Sequence, residues 1–169
     1  MRPELINEIA FPDGTVQKID DGVPIRRASF NVLSQLIDNG SLQAGEILKL
    51  VDFIIEKSFE ELQSEIFVLA NSVLGQVARK FPEMVVSRAD ATLAKMEKKY
   101  DFYVKSLTSE IIEKKLIAML KAFYWLNTAV QHDESSSKDK FSAFTAKLNS
   151  KEQVAQLFDK IKQQQKKNM

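Results

Sequence analysis

The sequence predicts an all-α fold: HEAT-like antiparallel helical hairpins stacked as the end of an α-solenoid, with an N-terminal β-hairpin in front of them. Three observations predict it. From Pro24 onward the apolar residues recur three and four apart, the spacing that places them on one stripe of a helix. The breaks between those stripes carry helix start and stop chemistry. Before Pro24 the period changes to two, the period of a strand.

In the N-terminal segment Leu5, Asn7, Ile9 and Phe11 alternate with Ile6, Glu8 and Ala10, and Thr15 to Ile19 follows after Pro12-Asp13-Gly14. Pro presets the backbone at the first turn position, Asp tolerates the second, and Gly supplies a left-handed residue, so the spacing predicts a hairpin closed by a type I turn with a bulge. Two strands alone are marginal in water, and the hairpin must lean on the first helix or on a partner.

Pro24 suits a first helical turn, and Ile25, Ala28, Val32, Leu33, Leu36 and Ile37 form a stripe that ends at Asp38-Asn39-Gly40, where Gly stops the helix. A second stripe holds Ile47, Leu48, Leu50, Val51, Ile54 and Ile55. Ser58-Phe59-Glu60-Glu61 has the spacing of a capping box and predicts the start of a long helix with Leu62, Ile66, Leu69, Ala70, Val73, Leu74, Val77 and Phe81 inward, stopped by Pro82. A fourth helix is expected over about 84–100 with Val86, Ala89, Leu93, Met96 and Tyr100 inward. A fifth is expected over about 109–130 with Ile112, Leu116, Met119, Leu120, Phe123 and Leu126. The polar stretch 132–140 predicts a loop. Phe141, Phe144 and Leu148 then mark a short helix, and Ser150-Lys151-Glu152-Gln153 gives a second capping box ahead of Val154, Leu157, Phe158 and Ile161. Helices joined by short breaks pair as antiparallel hairpins, and one pair cannot cover its own apolar face, so the pairs stack. The division expected is residues 1–22 as a projecting hairpin and 23–169 as the repeat domain with a C-terminal capping helix. Met1-Arg2-Pro3 offers no capping repeat, so the chain reads as the C-terminal piece of a longer protein.

Composition narrows the function. With 169 residues, 44% apolar and 28% charged, the chain can bury one core. Twenty-four basic residues against twenty-three acidic ones give a net charge of +1, which argues against nucleic acid or anionic lipid as the main partner. There is no cysteine, so disulfides and thiol chemistry are excluded. An intracellular, non-membrane protein is expected, with nucleus and cytoplasm indistinguishable at this point. The single histidine, His132, stands among acidic and serine residues, and a lone imidazole supplies neither a triad nor a metal site. The five glycines form no phosphate-binding motif. Glu60 and Glu61 suit a helix N-terminus and the lysines of 160–167 a helix C-terminus. Trp125, Phe123 and Tyr124 read as packing between helices. No catalytic residue, cofactor or metal is expected.

The order of elements carries a resemblance. Glu4-Leu5-Ile6-Asn7-Glu8-Ile9, a hairpin turn, Ile19-Asp20-Asp21-Gly22 and Ile25-Arg26-Arg27-Ala28-Ser29-Phe30, followed by the helical segments 74–86, 110–126 and 144–161, resemble the C-terminal domain of the cullin-associated, neddylation-dissociated proteins, also called the TATA-binding-protein-interacting family. The turn Phe11-Pro12-Asp13-Gly14-Thr15 departs from that family's usual Gly-Pro arrangement. The resemblance implies a protein-binding regulator of cullin-RING ubiquitin ligases that performs no chemistry. Its repeats hold the N-terminal region of a cullin bound to its RING subunit, and its hairpin excludes the substrate-receptor adaptor, making it an adaptor exchange factor. It implies Leu5, Ile6, Glu8, Ile9, Phe11, Val16, Lys18 and Ile19 as partner-binding side chains. The alternatives are a helical-repeat adaptor for another partner, such as TATA-binding protein or the transcription machinery, and a nucleic-acid-binding helical domain with a basic face.

Overall fold

The computed structural model describes residues 6–133 and 137–167. Two strands, β1 (Ile6–Ala10) and β2 (Val16–Asp20), precede eight α-helices among the described residues: α1 (Val23–Asp38), α2 (Ala44–Lys57), α3 (Ser64–Lys80), α4 (Pro82–Val86), α5 (Ala89–Tyr103), α6 (Glu110–His132), α7 (Lys138–Asn149) and α8 (Glu152–Lys167).

Side-chain bonds between helices fix their order and direction. Arg27 of α1 reaches Glu65 of α3 near the two N-terminal ends, and Lys80 of α3 donates to the carbonyl of Asp38 at the two C-terminal ends, 3.0 Å away. Helices α1 and α3 are therefore parallel. The same holds for α3 and α6, where Lys115 donates to the Leu62 carbonyl at 3.0 Å and Arg79 lies over the Trp125 ring. Trp125 Nε1 donates to Gln165 Oε1 at 3.1 Å and adds α8 to this layer. In the second layer, Arg88 joins Asp52, Lys95 donates to the Ile55 carbonyl, Lys140 meets Asp90 and Lys147 meets Asp101. Helices α2, α5 and α7 run parallel there. Chain neighbours α2/α3, α5/α6 and α7/α8 thus form antiparallel hairpins stacked side by side, the solenoid arrangement expected. Among the described residues α1 has no companion in the second layer, and its Ile25 and Val32 are exposed.

The core lies between the layers. Phe123 is its centre, stacked on Phe141 at 5.6 Å, edge-on to Phe144 at 5.0 Å and tilted against Phe158 at 5.7 Å. Three helices are stitched together by one ring. Burial pushes the Tyr103 hydroxyl up to about 12, so it stays neutral in this core.

Local chemistry explains most element ends. Gly40 has φ of 66°, and the amides of Gly40 and Ser41 return to the carbonyls of Ile37 and Leu36, the paired bonds of a Schellman stop. Glu46 accepts the Gln43 amide at 2.8 Å and caps α2.

Five expectations are corrected. Ser58 does not cap α3: residues Ser58–Glu60 form a single 3-10 turn on the end of α2, and α3 begins at Ser64. Phe59 drives this, since it is buried edge-on to Phe67 at 6.2 Å and closes the core where a cap would have faced water. Leu62, expected inward, is left in the connection, 72% exposed. The single helix expected over 84–100 is broken at Ser87-Arg88, where Arg88 pairs with Asp52 of α2, and it is Val85 that is fully buried. Ser150 ends α7 and donates its hydroxyl to the Lys147 carbonyl at 2.7 Å, so it does not open α8 as a capping box. On α1 the buried residues are Phe30 and Ile37, with Val23 and Leu33 partly buried against the core, while Ile25, Ala28 and Val32 face solvent.

Candidate functional site

The hairpin register pairs Ile6 with Asp20, Asn7 with Ile19, Glu8 with Lys18, Ile9 with Gln17 and Ala10 with Val16. Phe11 closes it, donating to the Thr15 carbonyl at 2.8 Å, while Gly14, with φ of 83°, donates back to the Phe11 carbonyl at 3.0 Å. Asp13 accepts both the amide and the hydroxyl of Thr15, at 2.9 and 2.6 Å, which draws its carboxyl below the ordinary aspartate value. This is the three-residue turn with a bulge that Pro12-Asp13-Gly14 predicts.

Side chains of a strand alternate between faces, and the register sorts the eight side chains expected to bind a partner. Ile9, Phe11 and Ile19 share one face. Ile6, Glu8, Val16 and Lys18 share the other, where Lys18 and Glu8 form an ion pair at 2.9 Å. Ile9 is 44% exposed, Phe11 43% and Val16 56%, whereas Ile6 and Ile19 near the base are half-buried. Leu5 lies outside the described residues.

The base of the hairpin is latched to the stack by charge. Asp20 accepts two bonds from the Arg26 guanidinium, at 3.2 and 2.7 Å, and one from the Gly22 amide at 3.0 Å. Arg26 Nε lies 3.0 Å from Glu61 Oε2, but off the N–H direction, so that contact is Coulombic rather than a hydrogen bond. The Arg26 bond holds the Asp20 carboxyl below its ordinary value. The last residue of β2, the first turn of α1 and the segment before α3 thus form one unit.

The parallel layer places a further set of exposed apolar side chains at this same end, which sequence reading does not find. Leu62 precedes α3, Ile111 lies in the first turn of α6, and Phe102 in the last turn of the antiparallel α5; all are exposed. Lys115 joins them: its ammonium donates to the Leu62 carbonyl and lies 5.6 Å from the Phe67 ring, and burial lowers its pKa from the ordinary lysine value. Hairpin and helix ends together offer apolar side chains among paired charges, the composition of a protein contact.

A family model described as TATA-binding protein interacting (TIP20) matches residues 1–167. The chain belongs to the TATA-binding-protein-interacting family. No curated protein and no solved structure matches it. This family is a helical protein-interaction domain, not one known for catalysis. In this member of the family, no group of three or more His, Cys, Asp or Glu among the described residues is placed to hold a metal ion, and none of their helices is long and apolar enough to cross a membrane. His132 is an exposed residue at the end of α6.

Proposed function

We propose that this chain is a non-enzymatic regulator of cullin-RING ubiquitin ligases, present in cytoplasm and nucleus, whose repeats bind the N-terminal region of the cullin and whose hairpin excludes the substrate-receptor adaptor. One observation carries the reading: in a member of the TATA-binding-protein-interacting family, a hairpin held by a charged latch presents Ile9 and Phe11 to solvent on one face. Exposed apolar side chains at the end of a rigid stack gain by being covered, each by roughly 1.5–3 kcal/mol when fully buried. Association costs on the order of 4–15 kcal/mol first. Two or three such side chains barely exceed the lower figure, so this chain binds weakly unless the helix ends bearing Leu62, Phe102 and Ile111 join the contact.

Calorimetry of this chain against a cullin N-terminal fragment, followed by titration into a preformed complex of cullin and fluorescent adaptor, tests the proposal. Displacement of adaptor by the chain, weakened about 10-fold or more by Phe11→Arg, is the expected result. Adaptor and chain bound together at saturation would end it. The family's description as TATA-binding protein interacting favours a second reading, a contact with TATA-binding protein. The same calorimetry with TATA-binding protein separates the two.

A further inference from the structure

Away from the hairpin, the face of the parallel layer turned from α2, α5 and α7 carries a groove of about 510 Å³ between α3 and α6, a volume in the range of ligand sites. Gly75 contributes to it by lacking a side chain. A Cβ there would stand 3.5 Å from the Ala122 Cα and 3.6 Å from the Trp125 ring, in ordinary contact with both, so the space it would take is left to the groove.

The lining has one sign of charge. Arg79, Lys114 and Lys121 line the groove and no carboxylate does. Lys114 is held at the edge by Glu110, 2.6 Å away on an exposed part of the helix, and Arg79 lies over the Trp125 ring at 5.8 Å. Because Glu110 already pairs Lys114, the local field in this chain of net charge +1 rests on Arg79 and Lys121, with Lys114 sharing its charge between Glu110 and the groove. The floor is apolar at Trp125 and polar at Asn71, which is wholly buried, donates Nδ2 to the Phe67 carbonyl at 2.9 Å and leaves its Oδ1 with no hydrogen-bond partner. A buried acceptor left open calls for a donor.

We propose that the α3–α6 groove docks an acidic peptide segment of a partner protein, its carboxylates on Lys114, Lys121 and Arg79, an apolar side chain on Trp125 and a peptide N–H toward Asn71. The dimensions set the segment. Lys114 and Lys121 are separated by about 10 Å at 1.5 Å per residue, which matches carboxylates seven residues apart on a helix or three apart in an extended strand. Single-stranded nucleic acid shares the charge, but it calls for a basic groove that tracks a backbone and aromatic faces on which successive bases stack. Here one aromatic ring lines the groove, and Arg79 lies over it. The groove stands apart from the hairpin, so the proposal does not rest on the cullin reading.

Trp125 is the only tryptophan in the sequence and reports directly. The full chain is titrated with a peptide of Glu, Leu and Ala carrying two Glu seven residues apart with Leu between them, and separately with the same peptide carrying Lys for Glu. A saturable shift in Trp125 emission is expected with the acidic peptide only. Lys121→Glu, an exposed position, should weaken it about 10-fold or more, since like charges then face each other. Phe11→Arg should leave it unchanged. The proposal is overturned by equal responses to the two peptides, by no response to either in emission and calorimetry, by an unaltered affinity in Lys121→Glu, or by tighter binding of a twelve-nucleotide single-stranded RNA than of the acidic peptide.

Discussion

Phe123 and Phe11 are the same residue in opposite circumstances. Phe123 has no exposed surface and is ringed by Phe141, Phe144 and Phe158 from two other helices. Phe11 is 43% exposed at the end of a two-stranded hairpin. In the stack, apolar area stabilises the fold. In the hairpin it is left unspent by folding and stays available for association, while a turn at one end and a charged latch at the other hold the backbone. The stack can therefore lose nothing from its centre, and the hairpin can lose its apolar side chains without unfolding.

The sharpest test of that contrast is Phe123→Ala. Removing a ring that touches three others leaves a cavity that α6, α7 and α8 cannot all close, and a loss of roughly 3–5 kcal/mol is expected in urea denaturation. A loss below about 1 kcal/mol would mean the layers are held by something other than this aromatic cluster.

Next in size is the latch. Removing the Asp20 side chain leaves the partly buried Arg26 without its best acceptor, and charge-assisted bonds of this kind are worth roughly 1.5–3 kcal/mol. Asp20 is nearly enclosed but lies outside the buried cluster, so that loss should fall on the hairpin and the first turn of α1 rather than on the stack. In Asp20→Ala, hydrogen exchange should speed up in 6–20 with α2 to α8 unchanged. The pH dependence has a definite sign. The folded carboxyl titrates below its ordinary value of 3.8, chiefly because Arg26 bonds it, so its contribution is complete above that value and is lost as pH falls through the lowered one. The Gly22 amide resonance, whose bond is to Asp20, should move in that acid range and not near neutrality.

What the sequence discloses and what it hides divide along the same line of locality. Pro12-Asp13-Gly14 and Asn39-Gly40 specify their turns through their own backbones, and both form as read. The stripes of α6, α7 and α8 are legible because helical period alone places Leu116, Phe123, Phe144 and Phe158 inward. Ser58 misleads because its spacing to Glu61 is local but the burial of Phe59 against Phe67 is not. The break at Ser87-Arg88 depends on Asp52, thirty-six residues away. For the candidate site, alternation showed which hairpin side chains are apolar, but separating Ile9 and Phe11 from Val16 needed the register. Leu62, Phe102 and Ile111 lie toward one end only because α3 and α6 run parallel and α5 antiparallel. The groove is invisible in one dimension, since Gly75 and Ala122 lie on different helices.

The smallest expected effect is the most telling for the hairpin. Ile9→Arg and Phe11→Arg each place a charge on a face that already meets water, and neither side chain contributes to the buried cluster. Surface changes of this kind stay within about 0.5 kcal/mol. The hairpin register should also persist, because it is set by Pro12-Asp13-Gly14 and by the Asp20 latch rather than by apolar contact. Urea midpoints matching the parent chain, together with unchanged cross-strand contacts between Glu8 and Lys18 in nuclear Overhauser spectra, would show that these two side chains are dispensable to the fold. A loss of more than about 1 kcal/mol in either variant would instead place Ile9 or Phe11 among the stabilising contacts of the stack, and the division between a region that holds itself together and one kept open for a partner would fail at its tip.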